Sequence, residues 1–258
     1  MLELAPDAFR GLVIDGVFTD IDDTLTTEGA ITAEALDALG RLHAAGIHVV
    51  PITGRPIGWS EPFACAWPVD AIVAENGAVA VLPDGRKIYQ QTADERAANF
   101  ARMQRAAARV LREVPGAQLA RDSAGRETDI AVDHSEFAHL PQERIEEVVA
   151  IMRGEGMTAT VSSIHINGWF GKHDKLEGAR WIVRELFGRN LDDEIARWVY
   201  IGDSTNDVLM FERFPLSVGV ANIRRFEAQL AHAPRWITPS ERGAGFAEVA
   251  RAVLALRA

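Results

Sequence analysis

The sequence predicts an α/β fold: a doubly wound (Rossmann-like) parallel-sheet core interrupted by an inserted α+β cap domain. Three observations carry this. Apolar strand-like runs alternate with amphipathic helical stretches at both ends of the chain. Between about residues 87 and 171 that alternation gives way to short strands and two helices with antiparallel character. The polar residues with phosphate- or metal-binding chemistry fall just past the ends of apolar runs, where open parallel sheets bind their ligands.

The elements follow in order. Residues 11–21 are rich in apolar and β-branched types and read as a buried strand, which ends in the carboxylates Asp20, Asp22 and Asp23. Thr32 is placed to cap a helix, Leu36, Leu39 and Leu42 give that helix an apolar face, and Gly46 is placed to end it. Residues 47–52 form a second strand that stops at Thr53, Gly54 and Arg55. Residues 71–74 form a third, followed by Glu75, Asn76 and Gly77. The inserted stretch holds a long helix over 93–114, strands near 118–120 and 128–133, a helix from Pro141 to about Arg153, and strands over 157–162 and 164–170. Alternation returns with a helix over 176–187, a strand over 198–202, a helix over 207–214, strands over 216–220 and 236–238, and a closing helix over 245–256. The core thus spans 1–86 and 172–258 and the cap 87–171, with glycines suited to hinges near both crossings.

Bulk properties narrow the function. At 258 residues and 48% hydrophobic content the chain can bury a large core and a second domain. A net charge of -10 lacks the footprint of a nucleic-acid binder and gains nothing from an anionic membrane surface. The single Cys65 permits no internal disulfide and no CxxC metal site, and its apolar neighbours predict a buried side chain. Residues 1–10 carry Glu3 and Asp7 and no secretory pattern, and no apolar run reaches membrane-span length, so a soluble, cytoplasmic protein is expected. The periodicity exposes no interface, so the expected state is a monomer or small homo-oligomer.

The strand ends carry the chemistry. Asp20, Asp22, Asp203 and Asp207 converging on one spot would repel one another unless a cation offset them, and hard oxygen ligands beside a phosphate point to Mg²⁺. A carboxylate can attack phosphorus and form an aspartyl phosphate, while a second carboxyl protonates the leaving oxygen and later deprotonates water. Thr53 and Gly54 offer a hydroxyl and an accessible N–H to a phosphate oxygen. Lys175 could screen phosphate and Asp20 together, and Lys172 competes for that role. Each piece has a bland reading: a solvated turn for the DxD, a tight turn for Thr53-Gly54-Arg55, a surface amine for Lys175. The run Gly202-Asp203-Ser204-Thr205-Asn206-Asp207 is more telling, because an apolar strand running into metal-competent residues has little structural purpose.

In order and placement, Asp20-Ile21-Asp22-Asp23-Thr24-Leu25, Thr53-Gly54-Arg55, Lys175 and the 202–207 run resemble the motifs of the haloacid dehalogenase-like superfamily of phosphatases. The resemblance covers the whole core. It implies Asp20 as nucleophile and metal ligand, and Asp22 as acid/base that also gives its backbone carbonyl to the metal. It implies Thr53 as a phosphoryl ligand, Lys175 as the residue holding nucleophile and phosphate, and Asp203 as a further Mg²⁺ ligand supported by Asn206 and Asp207. Gly54, Arg55 and Asn76 join Thr53 and Lys175 as candidate substrate-binding residues. Many relatives have a glycine directly after the lysine; here Leu176 follows Lys175 and the glycine is Gly178, which leaves Lys172 in contention. The helical pattern of Leu176, Ala179, Ile182 and Val183 beside Lys175 favours the latter.

The insertion's place between the second and third motifs resembles a C2-type cap, and Glu75-Asn76-Gly77 resembles the Cof-like and sucrose-phosphatase-like branch. The resemblance implies a Mg²⁺-dependent phosphomonoester hydrolase acting on a small phosphorylated metabolite such as a sugar phosphate. Two alternatives stand beside it: a phosphotransferase or phosphomutase of the same chemistry, and a receiver-like switch phosphorylated on aspartate. Within the cap, His165, Asn167 and Trp169 share one strand face, which either looks into the site or holds a core Trp169 and a surface His165, the second being preferred. Asn76 either touches substrate or takes a left-handed turn conformation before Gly77. Trp67, Trp198 and Trp236 are read as packing residues.

Overall fold

Six parallel strands form the core sheet in the computed structural model, which describes residues 1–256. The last positions assigned to the core, 257–258, lie outside the described residues. Across the sheet the order is Leu2–Glu3, Trp236–Ile237, Leu216–Gly219, Trp198–Gly202, Gly16–Thr19 and His48–Pro51. Successive side chains enter opposite layers. Val17, Val49, Val199 and Val218 join one apolar cluster with Leu39, Leu42, Ile57, Phe246 and Val249 of the helices Ala33–Ala44, Ile57–Ala66 and Arg242–Leu254. Phe18, Val50, Trp198 and Tyr200 join the other with Ile182, Met210 and Phe211 of the helices Lys175–Phe187 and Val208–Arg213. Burial on both faces is why these strands read as continuous apolar runs.

The first core strand is shorter than the apolar run around it. Gly16–Thr19 begins where its partners begin, Gly16 lying opposite both His48 and Trp198, and residues before it turn away through Gly11 at φ 78°. Gly16 is the only residue type that fits there, since a Cβ would overlap the Trp198 ring. Thr32 caps the first helix, its Oγ1 accepting from Ala35 N at 3.2 Å, and Gly46 follows that helix at φ 71°. Cys65 is exposed, contrary to expectation. On the helix Ile57–Ala66 the inward positions are Ile57, Ser60 and Ala64, and Cys65 lies about 100° further round. Trp67, Trp198 and Trp236 are all buried in the core.

An antiparallel sheet of Ile72–Ala74, Val79–Val81 and Lys87–Tyr89 continues the core sheet through a parallel bridge between Ile52 and Val73. Beyond it stands a four-stranded antiparallel sheet, ordered Thr158–Val161, His165–Trp169, Asp129–Asp133 and Gln118–Leu119. The helices Ala93–Glu113 and Gln142–Gly154 cover one face, packing Met103, Val110, Val148 and Met152 on Ile130, Val132 and Ile166. The register sets Asp129 opposite Trp169, Ala131 opposite Asn167, and Asp133 opposite His165, so the other face carries Asp129, Asp133, His165 and Asn167. All four are buried. A buried polar face needs polar partners, and much of what it meets is the loop edge of the core.

Candidate active site

The chain leaves the strand Gly16–Thr19 toward His48–Pro51 on one side and returns on the other with Trp198–Gly202. That reversal opens the crevice beyond the strand ends. Asp20 continues its strand by donating its N–H to Ile201 O at 2.8 Å. Thr53 is fully buried and donates its N–H to Val73 O. Asp203 follows Gly202, and Lys175 is the first residue of a helix capped by Asp174, which accepts from Glu177 N at 2.8 Å.

Lys175 Nζ donates to Asp20 Oδ1 and to Asp207 Oδ1, both at 2.7 Å. Lys172 is exposed. Gly178, displaced from the position where many relatives carry it, lets this helix press on the core: a Cβ there would lie 2.6 Å from the Cα of Gly77. Asp207 also accepts from the Tyr200 hydroxyl and, through Oδ2, from the N–H groups of Asp203 and Ser204 at 3.0 and 3.2 Å. Asp207 therefore spends its carboxylate on the lysine and on shaping the Asp203 loop. Asn206 Oδ1 accepts from Ser204 Oγ at 2.7 Å within the same turn.

Asp20, Asp203 and Asp207 can bring one carboxylate oxygen each within 4.8 Å of one another. One ammonium faces these three carboxylates, so negative charge is in surplus. Burial, the largest influence, raises Asp20 to about 7, Lys175 pulls it down, and Asp207 and Asp22 push it up again. Burial and then Asp20 and Asp207 raise Asp203 well above the carboxylate range. Burial works against the charge of Lys175, but Asp20 and Asp207 outweigh it and raise its pKa. Asp203 Oδ1 is buried and has no hydrogen-bond partner among the described residues. An orphaned carboxylate oxygen beside surplus negative charge fits a hard divalent cation such as Mg²⁺.

Asp22 is tied to Arg55. The guanidinium donates from Nε and NH2 to Asp22 Oδ1 at 3.1 and 3.0 Å, from NH1 to Asp122 at 3.2 Å, and from NH2 to Glu136 Oε1 at 2.8 Å. Arg55 thus joins the core carboxylate to two cap carboxylates. Burial favours the neutral form of Glu136, but hydrogen bonds from His165 and Arg55 prevail and hold it at about 2. His165 is 2% exposed with Nε2 at 2.9 Å from Glu136, so it is not the surface residue expected. Trp169 does lie in the cap core. Asn167 donates to Gly54 O at 3.2 Å and to Asp129 Oδ2 at 3.0 Å, which turns that strand face toward the Thr53–Arg55 loop.

Asn76 bears out the turn reading. It takes the left-handed conformation, at φ 56°, and its side chain reaches Asp129 Oδ2 at 3.5 Å. The preceding Glu75 is fully buried and accepts from Ile57 N in the core and from the N–H groups of Glu127 and Thr128 in the cap. Burial, reinforced by Asp129, raises its pKa to about 7. Arg126, also buried, donates to Gly54 O at 2.9 Å and to Asp129 Oδ1 at 2.7 Å.

Sequence reasoning missed Tyr200, Asn222 and the cap residues Asp122, Arg126, Asp129 and Glu136. Asn222 had a usable signal, since it is a polar residue just past the strand Leu216–Gly219, the same position rule that singles out Asp20 and Asp203. The cap residues had none, because their partners lie far away in sequence.

Residues 17–105 match the family profile of haloacid dehalogenase-like hydrolases. No curated protein shows significant sequence similarity to the chain. Solved structures resemble it along most of its length. A Thermoplasma acidophilum protein has a TM-score of 0.70 at 17% identity, covering 92% of this chain and 96% of its own. The sucrose-phosphatase of Synechocystis, solved with sucrose and phosphate, has a TM-score of 0.67 at 15% identity, covering 92% and 97%. A haloacid dehalogenase-like hydrolase of Bacteroides thetaiotaomicron has a TM-score of 0.63 at 16% identity, covering 92% and 98%. At such identities the likeness speaks for the fold.

Proposed function

We propose that this chain, whose residues 17–105 match the haloacid dehalogenase-like hydrolases, is a Mg²⁺-dependent phosphatase that moves the phosphoryl group of a small phosphomonoester to Asp20 and then to water. The observation that carries this is Lys175 bridging Asp20 and Asp207 beside the partnerless Asp203 Oδ1. Asp20 and Asp203 would hold the ion, with Asp207 and Asn206 shaping the loop and Asp22 giving its backbone carbonyl. When bound, the ion neutralises charge on the transferring group.

Lys175 occupies Oδ1 of Asp20, so Oδ2 is the oxygen we assign to attack. An Asp20 O–P bond forms as the ester P–O bond breaks, and Asp22 gives its proton to the departing oxygen. Asp22 then takes a proton from water as that water attacks phosphorus. The aspartyl P–O bond breaks, inorganic phosphate leaves, and both carboxyl groups return to their starting states. Asp22 can act only when Arg55 loosens its grip, so substrate must displace part of the Arg55 contact. The cap excludes bulk water from the intermediate.

The wall above the phosphate site argues for the substrate class. Beside the acid Asp22, three carboxylates (Asp122, Asp129, Glu136) meet two guanidiniums (Arg55, Arg126) there. Such a wall repels a carboxylate or second phosphate on the leaving group and suits neutral hydroxyls, as in a sugar phosphate. The sucrose-phosphatase likeness agrees with this class. The test is phosphate release from hexose and pentose monophosphates, phosphoglycolate and a sugar bisphosphate, with wild type, Asp20→Asn and a metal-free control. Release from the monophosphates that needs Asp20 and Mg²⁺ is expected. A stable phospho-Asp20 without turnover would point instead to a receiver-like switch, and a preference for phosphoglycolate would overturn the reading of the wall.

A further inference from the structure

Asn222 lies at the same strand-end edge as Asp20, Thr53 and Asp203, and is 2% exposed. Its amide is fully engaged. Nδ2 donates to Asp203 Oδ2 at 3.0 Å and to Asp23 O at 2.9 Å, and Oδ1 accepts from Arg242 N at 3.0 Å. These bonds reach three separate stretches: the loop after Asp20, the loop after Gly202, and the start of the closing helix Arg242–Leu254.

A planar amide bonded at both ends cannot rotate freely, so the carboxylate it holds is fixed in turn. With Oδ2 of Asp203 satisfied by Asn222, Oδ1 is left as the buried oxygen without a partner. An amide is the right group for this task. A lysine or arginine would hold Asp203 equally well but would cancel the charge a cation needs, whereas an amide orients the carboxylate and leaves its charge in place. The second donor, to Asp23 O, fixes the backbone just after Asp22 relative to Asp203.

We infer that Asn222 is a positioning residue for the cation site: it presents Asp203 Oδ1 and locks the Asp203 loop to the Asp20–Asp23 loop. This rests on the phosphatase reading above, because that reading supplies the cation. The test is Mg²⁺ binding to the substrate-free protein by titration calorimetry, alongside the Mg²⁺ dependence of phosphate release, for wild type and Asn222→Ala. Loss of such an outer partner is expected to weaken Mg²⁺ about 10- to 100-fold, with turnover largely recovered at saturating Mg²⁺. Unfolding in EDTA measures any structural role separately, since a purely structural asparagine would lower stability without changing the affinity of the folded protein. Asn222→Ser, whose short hydroxyl cannot reach both Asp203 and Asp23, replaces the alanine variant if that fails to fold. Equal Mg²⁺ affinity in a folded variant and wild type overturns this inference alone. A wild type that binds no Mg²⁺ overturns it together with the phosphatase reading.

Discussion

Removing the Arg55 guanidinium should cost the fold heavily. Its side chain is 8% exposed and faces Asp22, Asp122 and Glu136 at 3.0, 3.2 and 2.8 Å. Arg55→Met keeps much of the stem and removes the charge, leaving three carboxylates 16%, 14% and 22% exposed without that partner. Breaking a buried pair from one side costs about 3–5 kcal/mol, a large share of the roughly 5–15 kcal/mol that holds a typical fold together. Urea denaturation at pH 7 measures it. The pH dependence has a definite sign. Glu136 is depressed from 4.5 to about 2, so its pairing stabilises the fold above pH 4.5 and that contribution fades as pH falls toward 2. The gap between variant and wild type should therefore be full at neutral pH and shrink in acid. In the double variant with Glu136→Gln the costs should fail to add, because both changes remove the same contact. A gap of about 1 kcal/mol or less at pH 7, the scale of an exposed pair, or one that does not change between neutral and acid pH, would refute the reasoning.

Other perturbations probe the remaining parts. Asp20→Asn should lower phosphate release by at least about 1,000-fold while the protein stays folded by circular dichroism; appreciable residual turnover would remove Asp20 as the attacking group. Lys175→Met should cost about 100- to 1,000-fold in kcat, whereas Lys172→Met should match wild type, and the reverse pattern would transfer the role to Lys172. Chelation with EDTA should abolish release and added Mg²⁺ restore it, so full activity in EDTA would exclude the cation. Burial lowers His173 from 6.5 to about 4, so its neutral ring stabilises the fold above pH 6.5 and that stability is lost as pH falls toward 4. Between pH 7 and 5 the loss comes to about 2 kcal/mol. His173→Phe, which retains a ring to stack on Trp169, should lose less stability over that interval, and an unchanged slope would assign the pH dependence elsewhere.

The core was readable because its physics is local. Val17, Phe18, Val49 and Val50 sit in strands buried on both faces, so they form apolar runs that stop where the loop chemistry begins. Asp20, Thr53 and Asp203 stand out for the same reason, each being a polar residue directly after such a run. Strand limits were less readable. Gly16–Thr19 starts only where its neighbours start, and pairing partners are not visible in one run of sequence. Cys65 was misread because apolar neighbours in sequence are not neighbours on a helix. The cap chemistry lay furthest out of reach. Arg55 and Glu136 are 81 residues apart, and nothing in either neighbourhood announces that they meet. His165 has no local cue for burial, since what buries it is a carboxylate on another segment.

Glu75 bears on how such a protein can change over generations. Its carboxylate belongs to the core by covalent bond and to the cap by hydrogen bonds to the Glu127 and Thr128 amides. The cap is therefore not a module that can be exchanged at its two crossings alone. A transplanted cap must bring two backbone N–H groups to the same spot, or leave a buried carboxylate underfed at a cost of about 1–3 kcal/mol or more. New specificity is more easily gained by substitutions on the polar face of the existing sheet than by replacing the sheet.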